Sequence, residues 1–150
     1  TVLGDYGHTV VASPDYVARH GAPEHPHDLV EHQVVAIRLE RVWSTWPFSR
    51  GSEAARVEVT PQLVVTHADM LDDLVRRGEG VTVLPDFVAA KGVADGSLVP
   101  LLAEWALPRM PAYALHAPRK RLARIVEEVL DTLRDAMRAG ASRAAAAARS

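Results

Sequence analysis

The sequence contains no cysteine among its 150 residues, and its charges nearly cancel. Without thiols, disulfides, thiolate metal sites and cysteine nucleophiles are all excluded, and a cytosolic setting is compatible with this composition. Lysine and arginine number 17 against 19 acidic residues, which gives a formal net charge of -2. No overall positive field therefore draws the chain onto nucleic acid or an anionic membrane, and any such contact would be local.

Long apolar runs are also missing from the sequence. The longest contain only a few residues, whereas about 20 are needed to cross a bilayer, so we expect no membrane span. The chain begins at Thr1 without an initiator methionine and without the basic and apolar regions of a signal peptide. We therefore expect a fragment of a longer protein. With 48% apolar side chains it can still form one globular domain with its own core.

Strand and helix patterns alternate along the chain, which predicts an α/β fold. The β-branched run at 8–13 leads to Pro14, which suits the first turn of a helix ending near His20, and Ser13 is placed to cap that helix. An amphipathic helix is predicted at 69–77, with an apolar stripe of Met70, Leu71, Leu74 and Val75. The remaining predictions are strands at 33–37, 63–66, 80–84, 98–102 and 111–117, a hairpin joining 46–48 to 56–60, and a short helix at 85–91.

The strongest helical periodicity lies between Lys120 and Arg138. Apolar residues recur there at intervals of three and four, which predicts a long amphipathic helix. These residues are Leu122, Ile125, Val126, Val129, Leu130, Leu133 and Met137. The alanine-rich segment beyond Gly140 offers no large apolar side chain to offset the entropy of ordering it, so 139–150 is predicted to be a disordered tail.

The segment from Thr66 to Asp69 fits the Thr-x-x-Asp form of a capping box directly before an apolar stripe. By itself this pattern indicates only the start of a helix. Such a start also presents free N–H groups and the positive end of the helix dipole, so it becomes an anion site if it opens onto a cleft. The four residues alone leave both interpretations open.

Other candidate chemistry is weaker. His20, His25, His27 and His32 lie close together, but their irregular, proline-broken spacing matches no zinc motif, so we expect most of them to be solvated. No glycine-rich phosphate loop is complete, because Gly78 and Gly80 are followed by valine at position 83. No Gly-x-Ser-x-Gly elbow occurs, and a basic cluster at 119–121 lacks interleaved aromatic residues. We therefore predict no catalytic residue, no metal site and no cofactor.

Taken in order, several short segments resemble the C-terminal effector-binding domain of LysR-type transcription regulators. The matching pieces are the run Val10 to Gly21, Pro26 to Leu29 with His32, Trp46-x-Phe48, Val57-x-Val59, Gly78-x-Gly80 into Val83-Leu-Pro85, Gly96-x-Leu-Val99, Leu102-x-x-Trp105, and a closing strand and helix from Tyr113 to about Leu133. Each piece is short, but their order and spacing agree over roughly residues 8–137.

The resemblance implies an α/β fold similar to the type 2 periplasmic binding proteins, with two subdomains joined by crossover strands. Residues 1–12 would end the first subdomain and include the crossover strand at Thr9 to Ala12. Residues 13–112 would form the second effector-binding subdomain, and 113–138 the return strand and C-terminal helix. The opening half of the first subdomain and the DNA-binding winged helix-turn-helix of the family would precede Thr1.

The resemblance also implies a site and a function. The cleft elements of the family fall on Thr66, His67 and Ala68 and on Val83, Leu84 and Pro85, and Trp46 and Phe48 would support that wall. The implied function is sensing a small effector, such as a carboxylate or other anion, in a cytoplasmic homodimer or higher oligomer that contacts DNA through its N-terminal domain. The bulky ring of His67 and the charged segment Val75 to Glu79 depart from the family pattern, so the effector stays open. The alternative is a stand-alone solute-binding protein or a hydrolase of small substrates on a similar fold.

Overall fold

In the computed structural model, the structure describes residues 1–38, 43–115 and 124–147, without the side chains of 141 and 143–147. The strands are β1 (Val2–Tyr6), β2 (His8–Ala12), β3 (Val35–Ile37), β4 (Thr45–Arg50), β5 (Glu53–Glu58), β6 (Leu63–Val65), β7 (Thr82–Pro85), β8 (Val99–Leu101) and β9 (Met110–Tyr113). The helices are α1 (Pro14–His20), α2 (Ala68–Arg76), α3 (Asp86–Ala94) and α4 (Arg124–Ala147), with a 3-10 helix at Pro26–Glu31. None of the helices in these ranges is long and apolar enough to cross a membrane.

A mixed sheet forms the centre of the fold. Strand β2 pairs antiparallel with β7 on one side and β8 on the other, and β3 pairs parallel with β6. A parallel bridge between Val34 and Val81 connects these two pieces. The hydroxyl of Thr82 also donates to the carbonyl of Val35 at 2.7 Å across the same junction. The strand order is therefore β6-β3-β7-β2-β8, with three parallel strands at one side.

The two faces of this sheet bury two separate apolar clusters. Successive side chains of a strand point to opposite faces, and β2 shows the consequence, because Val10 and Ala12 lie in one cluster and Val11 in the other. The first cluster contains Tyr16 from α1 and Trp46 from the β4–β5 hairpin. The second lies beneath α2 and α3. The predicted α/β layering is thus confirmed.

The helices largely follow the sequence pattern. Helix α1 has the predicted bounds, and Ser13 caps it, because its hydroxyl accepts the backbone N–H of Tyr16 at 3.1 Å. In α2, Leu71 and Val75 are buried as predicted, but Met70 is 55% exposed, so its assignment to the buried stripe was wrong. Met70 lies in the first turn of α2, where the preceding residues from Thr66 to Asp69 are exposed as well.

Helix α4 is longer than predicted. Its backbone is helical through Ala147, so the expectation of a disordered tail from 139 is wrong as far as that residue. The physical reason is that alanine has the highest intrinsic helix propensity, and the contributions of successive alanines add up over the segment. Residues 148–150 lie outside the described residues, as do Leu122 and the end of the predicted strand at 116–117.

Strands β1 and β9 form a separate two-stranded ribbon. Strand β1 runs antiparallel to β9, and α4 packs against β1 and α3. Strand β2, which the resemblance assigns to a crossover, is an inner strand of the central sheet, and the ribbon joins the sheet at Gly7. The division into subdomains at 12, 112 and 138 stays a prediction.

Two helical glycines allow a matched test of the packing. A Cβ on Gly92 in α3 would lie 2.4 Å from Cδ1 of Leu98 and 3.1 Å from its Cβ, whereas a Cβ on Gly140 in α4 would meet only the Cβ of Phe87 at 3.5 Å. We expect Gly92→Ala to lower the free energy of unfolding by about 1–3 kcal/mol through overpacking. Gly140→Ala should raise it by up to about 1 kcal/mol through helix propensity. Urea titration measures both, and equal effects would contradict the packing described.

Candidate functional site

The carboxyl ends of the three parallel strands meet at one edge of the sheet. Strands β3, β6 and β7 run in the same direction, so Ile37, Val65 and Pro85 lie along that edge. Helices α2 and α3 begin there, directly after β6 and β7. Strand β2 runs the other way and enters the sheet at the same edge, with His8 opposite Pro85. In α/β sheets, ligands bind outside the carboxyl ends of the strands, so this edge is the candidate site.

The start of α2 differs from the predicted capping box. Its N-cap is His67 rather than Thr66, and no side chain caps the helix. The hydroxyl of Thr66 instead contacts Nδ1 of His67 at 3.0 Å. Because the helix begins one residue later than the pattern suggested, Asp69 is the second helical residue and cannot complete the box. The first-turn N–H groups are thus left without a side-chain acceptor, and Thr66, His67 and Ala68 are all exposed.

The other predicted site residues lie deeper. Val83 is partly buried and packs against the cluster that contains Trp46 and Phe48, each only 2% exposed. Leu84 belongs to the opposite cluster, beneath α2 and α3. Trp46 and Phe48 therefore support the sheet from within, whereas the start of α2 is exposed. The assignment of these eight residues to an effector site stays a prediction.

A cleft of about 500 Å³ opens beside this edge, between the start of α3 and the second half of α4. Its lining consists of Asp5, Tyr6, Gly7, Asp86, Phe87, Ala112, Leu133, Ala136, Met137 and Gly140. None of the eight predicted residues is among them, although Pro85 directly precedes Asp86. The sequence pattern alone did not reveal the cleft, because its walls come from distant parts of the chain.

Two hydrogen bonds hold Asp86 at the carboxyl edge of the sheet. Its carboxylate accepts the hydroxyl of Thr9 at 2.7 Å, and its backbone N–H donates to the carbonyl of Gly7 at 3.0 Å. A Cβ on Gly7 would overlap with Oδ2 of Asp86, so a larger residue at position 7 would displace this carboxylate. Nearby, Arg109 donates to the Asp5 carboxylate at 2.8 Å, and this hydrogen bond lowers the pKa of Asp5. The same guanidinium interacts electrostatically with Asp86.

Tyr16 organises two of the four clustered histidines. Its buried hydroxyl accepts the N–H of Gln33 at 3.0 Å and lies 2.9 Å from Nδ1 of His32. The ring of His20 stacks on Tyr16, with centroids 4.5 Å apart. Burial lowers the pKa of His32, and the nearby charge of His20 acts in the same direction. His20, His25 and His27 are nevertheless exposed, so the expectation that most of these histidines are solvated is confirmed.

The remaining pair also has defined partners. His25 caps the 3-10 helix by accepting the N–H of His27 at 3.2 Å, and its own N–H donates to the Asp28 carboxylate at 2.8 Å. Its ring meets the edge of Trp105 at 5.1 Å. Within the part of the chain that the structure describes, no group of three or more histidine or acidic side chains is arranged to hold a metal ion.

Residues 1–138 match the LysR substrate binding domain. The chain belongs to this family. It is 35% identical over 134 residues to the transcriptional regulator PtxR of Pseudomonas aeruginosa, a match that covers 89% of the chain and 43% of PtxR. It is 31% identical over 102 residues to the regulator CrgA of Neisseria meningitidis, covering 68% of the chain and 34% of CrgA. The LysR-family chain thus spans less than half the length of either relative.

Solved regulatory domains share this fold. The regulatory domain of CrgA from Neisseria meningitidis superposes with a TM-score of 0.69 at 27% identity, covering 90% of the chain and 66% of that domain. The regulatory domain of AphB from Vibrio vulnificus gives a TM-score of 0.71 at 24% identity, covering 91% and 67%. The predicted fold, similar to the type 2 periplasmic binding proteins, is therefore confirmed. These comparisons give no support to a stand-alone solute-binding protein or a hydrolase.

The lowered pKa values predict how stability depends on pH. Burial lowers the pKa of His8 and of His32 below the ordinary value near 6.5. The unfolded chain therefore binds protons that the folded chain resists, so the free energy of unfolding should fall as the pH drops from 7.5 to 5.5. Urea titrations at both pH values measure this slope. We expect a shallower slope in His32→Gln, and an unchanged slope would show that His32 does not contribute.

Proposed function

We propose that this chain forms part of the effector-sensing region of a LysR-type transcription regulator and binds a small anion at the start of α2. The observation that carries the proposal is the uncapped helix start at the carboxyl edge of three parallel strands. Family membership supplies the setting, because the matched relatives are named as transcriptional regulators. Such a regulator acts by binding rather than catalysis, in the cytoplasm where its DNA lies.

The chemistry of the site favours a carboxylate. Three first-turn N–H groups and the positive end of the helix dipole face the same direction, an arrangement that binds anions. Thr66 and His67 add a hydroxyl and a ring nitrogen beside them, already within 3.0 Å of each other. Val83, Leu84 and Pro85 form the end of the neighbouring β7 and would shape the wall behind the ligand, over the buried Trp46 and Phe48.

Binding would act by shifting an equilibrium. A ligand that contacts one conformation better than another changes their populations by its difference in affinity. The relatives are named as helix-turn-helix regulators, so in the whole protein the DNA contacts belong to a helix-turn-helix segment. The role proposed for this chain is to report the presence of the effector to that segment.

A charge placed at the helix start tests the anion site. Ala68→Asp adds a carboxylate at the first residue of α2, where an acidic residue suits the helix dipole and should not destabilise the fold. We expect carboxylates that bind the original chain to lose at least about tenfold in affinity, or ~1.4 kcal/mol, through repulsion. Calorimetric titration with a panel of small mono- and dicarboxylates measures the effect.

The control for this test is Ala18→Asp, which makes the same charge change at an exposed position on α1. It should bind the carboxylates with the affinity of the original chain. Equal losses in both variants would mean that the effect is one of net charge alone. Equal binding in all three proteins would place the anion elsewhere and contradict the assignment to α2.

The exposed face of α4 supports a further part of the proposal, a homodimer. Ile125, Val129 and Leu133 are 69%, 52% and 43% exposed, while Leu130 on the inner face is buried. Leu115 lies beside them and is 95% exposed, so the apolar surface extends beyond the helix. Contiguous apolar surface of this kind marks an interaction site.

We expect the chain to sediment as a dimer or higher oligomer at micromolar concentration. The double variant Ile125→Glu with Val129→Glu should sediment as a monomer, because burying two carboxylates in the interface is unfavourable. Arg138→Glu alters charge on the opposite, polar face of α4 and should leave association unchanged. A monomeric original chain, or a double variant that still associates, would contradict an interface at this face.

A further inference from the structure

We propose that the cleft between α3 and α4 is a second ligand site, which binds a small organic amine with an apolar or aromatic body. This goes beyond the proposed function, because the site is separate from the anion contacts assigned to α2. None of the eight residues predicted to contact an effector lines it. The proposal rests on the size of the cleft, its aromatic wall and the sign of its charges.

The size and wall suit a compact apolar group. A volume of about 500 Å³ lies in the range of roughly 300–1,000 Å³ that is typical of small-molecule pockets. Phe87 is 53% exposed at this site, which is unusual for a phenylalanine, and its ring meets Tyr6 edge to face with centroids 5.7 Å apart. Leu133 and Met137 of α4 form the facing wall. A flat ring that enters here would cover Phe87.

The charges of the cleft are all of one sign. Asp5 and Asp86 line it, and no basic side chain among the described residues does so. Arg109 is not among the lining residues; its guanidinium donates to the Asp5 carboxylate at 2.8 Å and to the Asp5 carbonyl at 3.1 Å, and its charge also acts on Asp86. One guanidinium between two carboxylates leaves a net negative charge. A protonated amine complements this charge, and a carboxylate would be repelled.

Asp86 is the group that would bind the amine. Its Oδ1 is occupied by the hydroxyl of Thr9, while no donor among the described residues is hydrogen-bonded to Oδ2. Oδ2 lies against Gly7, another lining residue, at the position that a Cβ would occupy. The carboxylate is thus fixed in place before a ligand arrives and keeps one acceptor available. A pre-positioned carboxylate loses little entropy when it accepts a hydrogen bond.

Three ligands with one ring system separate charge from shape: tryptamine, indole-3-ethanol and indole-3-propanoate. We expect calorimetry to show saturable binding of tryptamine, at least about tenfold weaker binding of the alcohol, and none of the carboxylate. Equal affinity for the amine and the alcohol, or tighter binding of the carboxylate, would overturn the assignment of an amine. No binding of tryptamine would overturn it as well.

The variant Asp86→Asn keeps an oxygen for Thr9 but removes the charge, and should weaken tryptamine binding at least about tenfold. Asp15→Asn is the matched control, because Asp15 also lies in the first turn of a helix, α1, and should leave the affinity unchanged. Phe87→Ala provides a second test at an exposed side chain, with weaker binding of tryptamine expected. Unchanged affinity in both cleft variants would place the amine outside the cleft.

The two proposed sites can fail separately. Ala68→Asp should weaken carboxylates and spare tryptamine, and Asp86→Asn should do the reverse. Loss of carboxylate binding in Ala68→Asp together with no response of tryptamine to Asp86→Asn would leave the anion site standing and reject the amine site. The opposite pattern would reject the anion site and keep the amine site.

Discussion

The rest of the structure depends on strand β2, which is paired on both edges and packed on both faces. Val11 and Ala12 are fully buried, and the alternation along this strand assigns one apolar cluster to each side of the sheet. Its register with β7 places Thr9 opposite Leu84, two residues before Asp86. The strand that divides the core therefore also fixes the groups at the sheet edge, because a shift of one residue would turn every side chain to the wrong face.

The two helices that begin at this edge present opposite chemistry. Helix α2 starts without a side-chain cap and exposes its first N–H groups, a setting that favours a negative ligand. Helix α3 also lacks a side-chain cap, but its first residue is Asp86, whose carboxylate accepts the hydroxyl of Thr9. One edge of one sheet thus has an exposed helix start, to which we assign an anion, beside a fixed carboxylate, to which we assign an amine.

Helix α4 has two roles in this arrangement. Its second half closes the cleft opposite Phe87, with Leu133, Met137 and Gly140 among the lining residues. Its first half leaves Ile125 and Val129 exposed, because its contact with the β1–β9 ribbon does not cover them. The matched regulatory domains are larger than this chain, which covers 67% of the AphB domain. Helix α4 thus has more apolar surface than its contacts with the ribbon and α3 bury.

The sequence by itself determined the local elements, because periodicity and turn residues act over a few positions. Helix α1 with its Ser13 cap, the β4–β5 hairpin and the family itself were all predictable in this way. The cap of α2 was not, because the end of β6 decides where that helix begins and moves the N-cap to His67. Nor was the cleft, since Asp5 and Arg109 are 104 residues apart and meet only through the pairing of β1 with β9. Only the tertiary structure decided which carboxylate oxygen at the edge is left without a hydrogen-bond donor among the described residues. That depends on which distant residues donate to the other carboxylate oxygens.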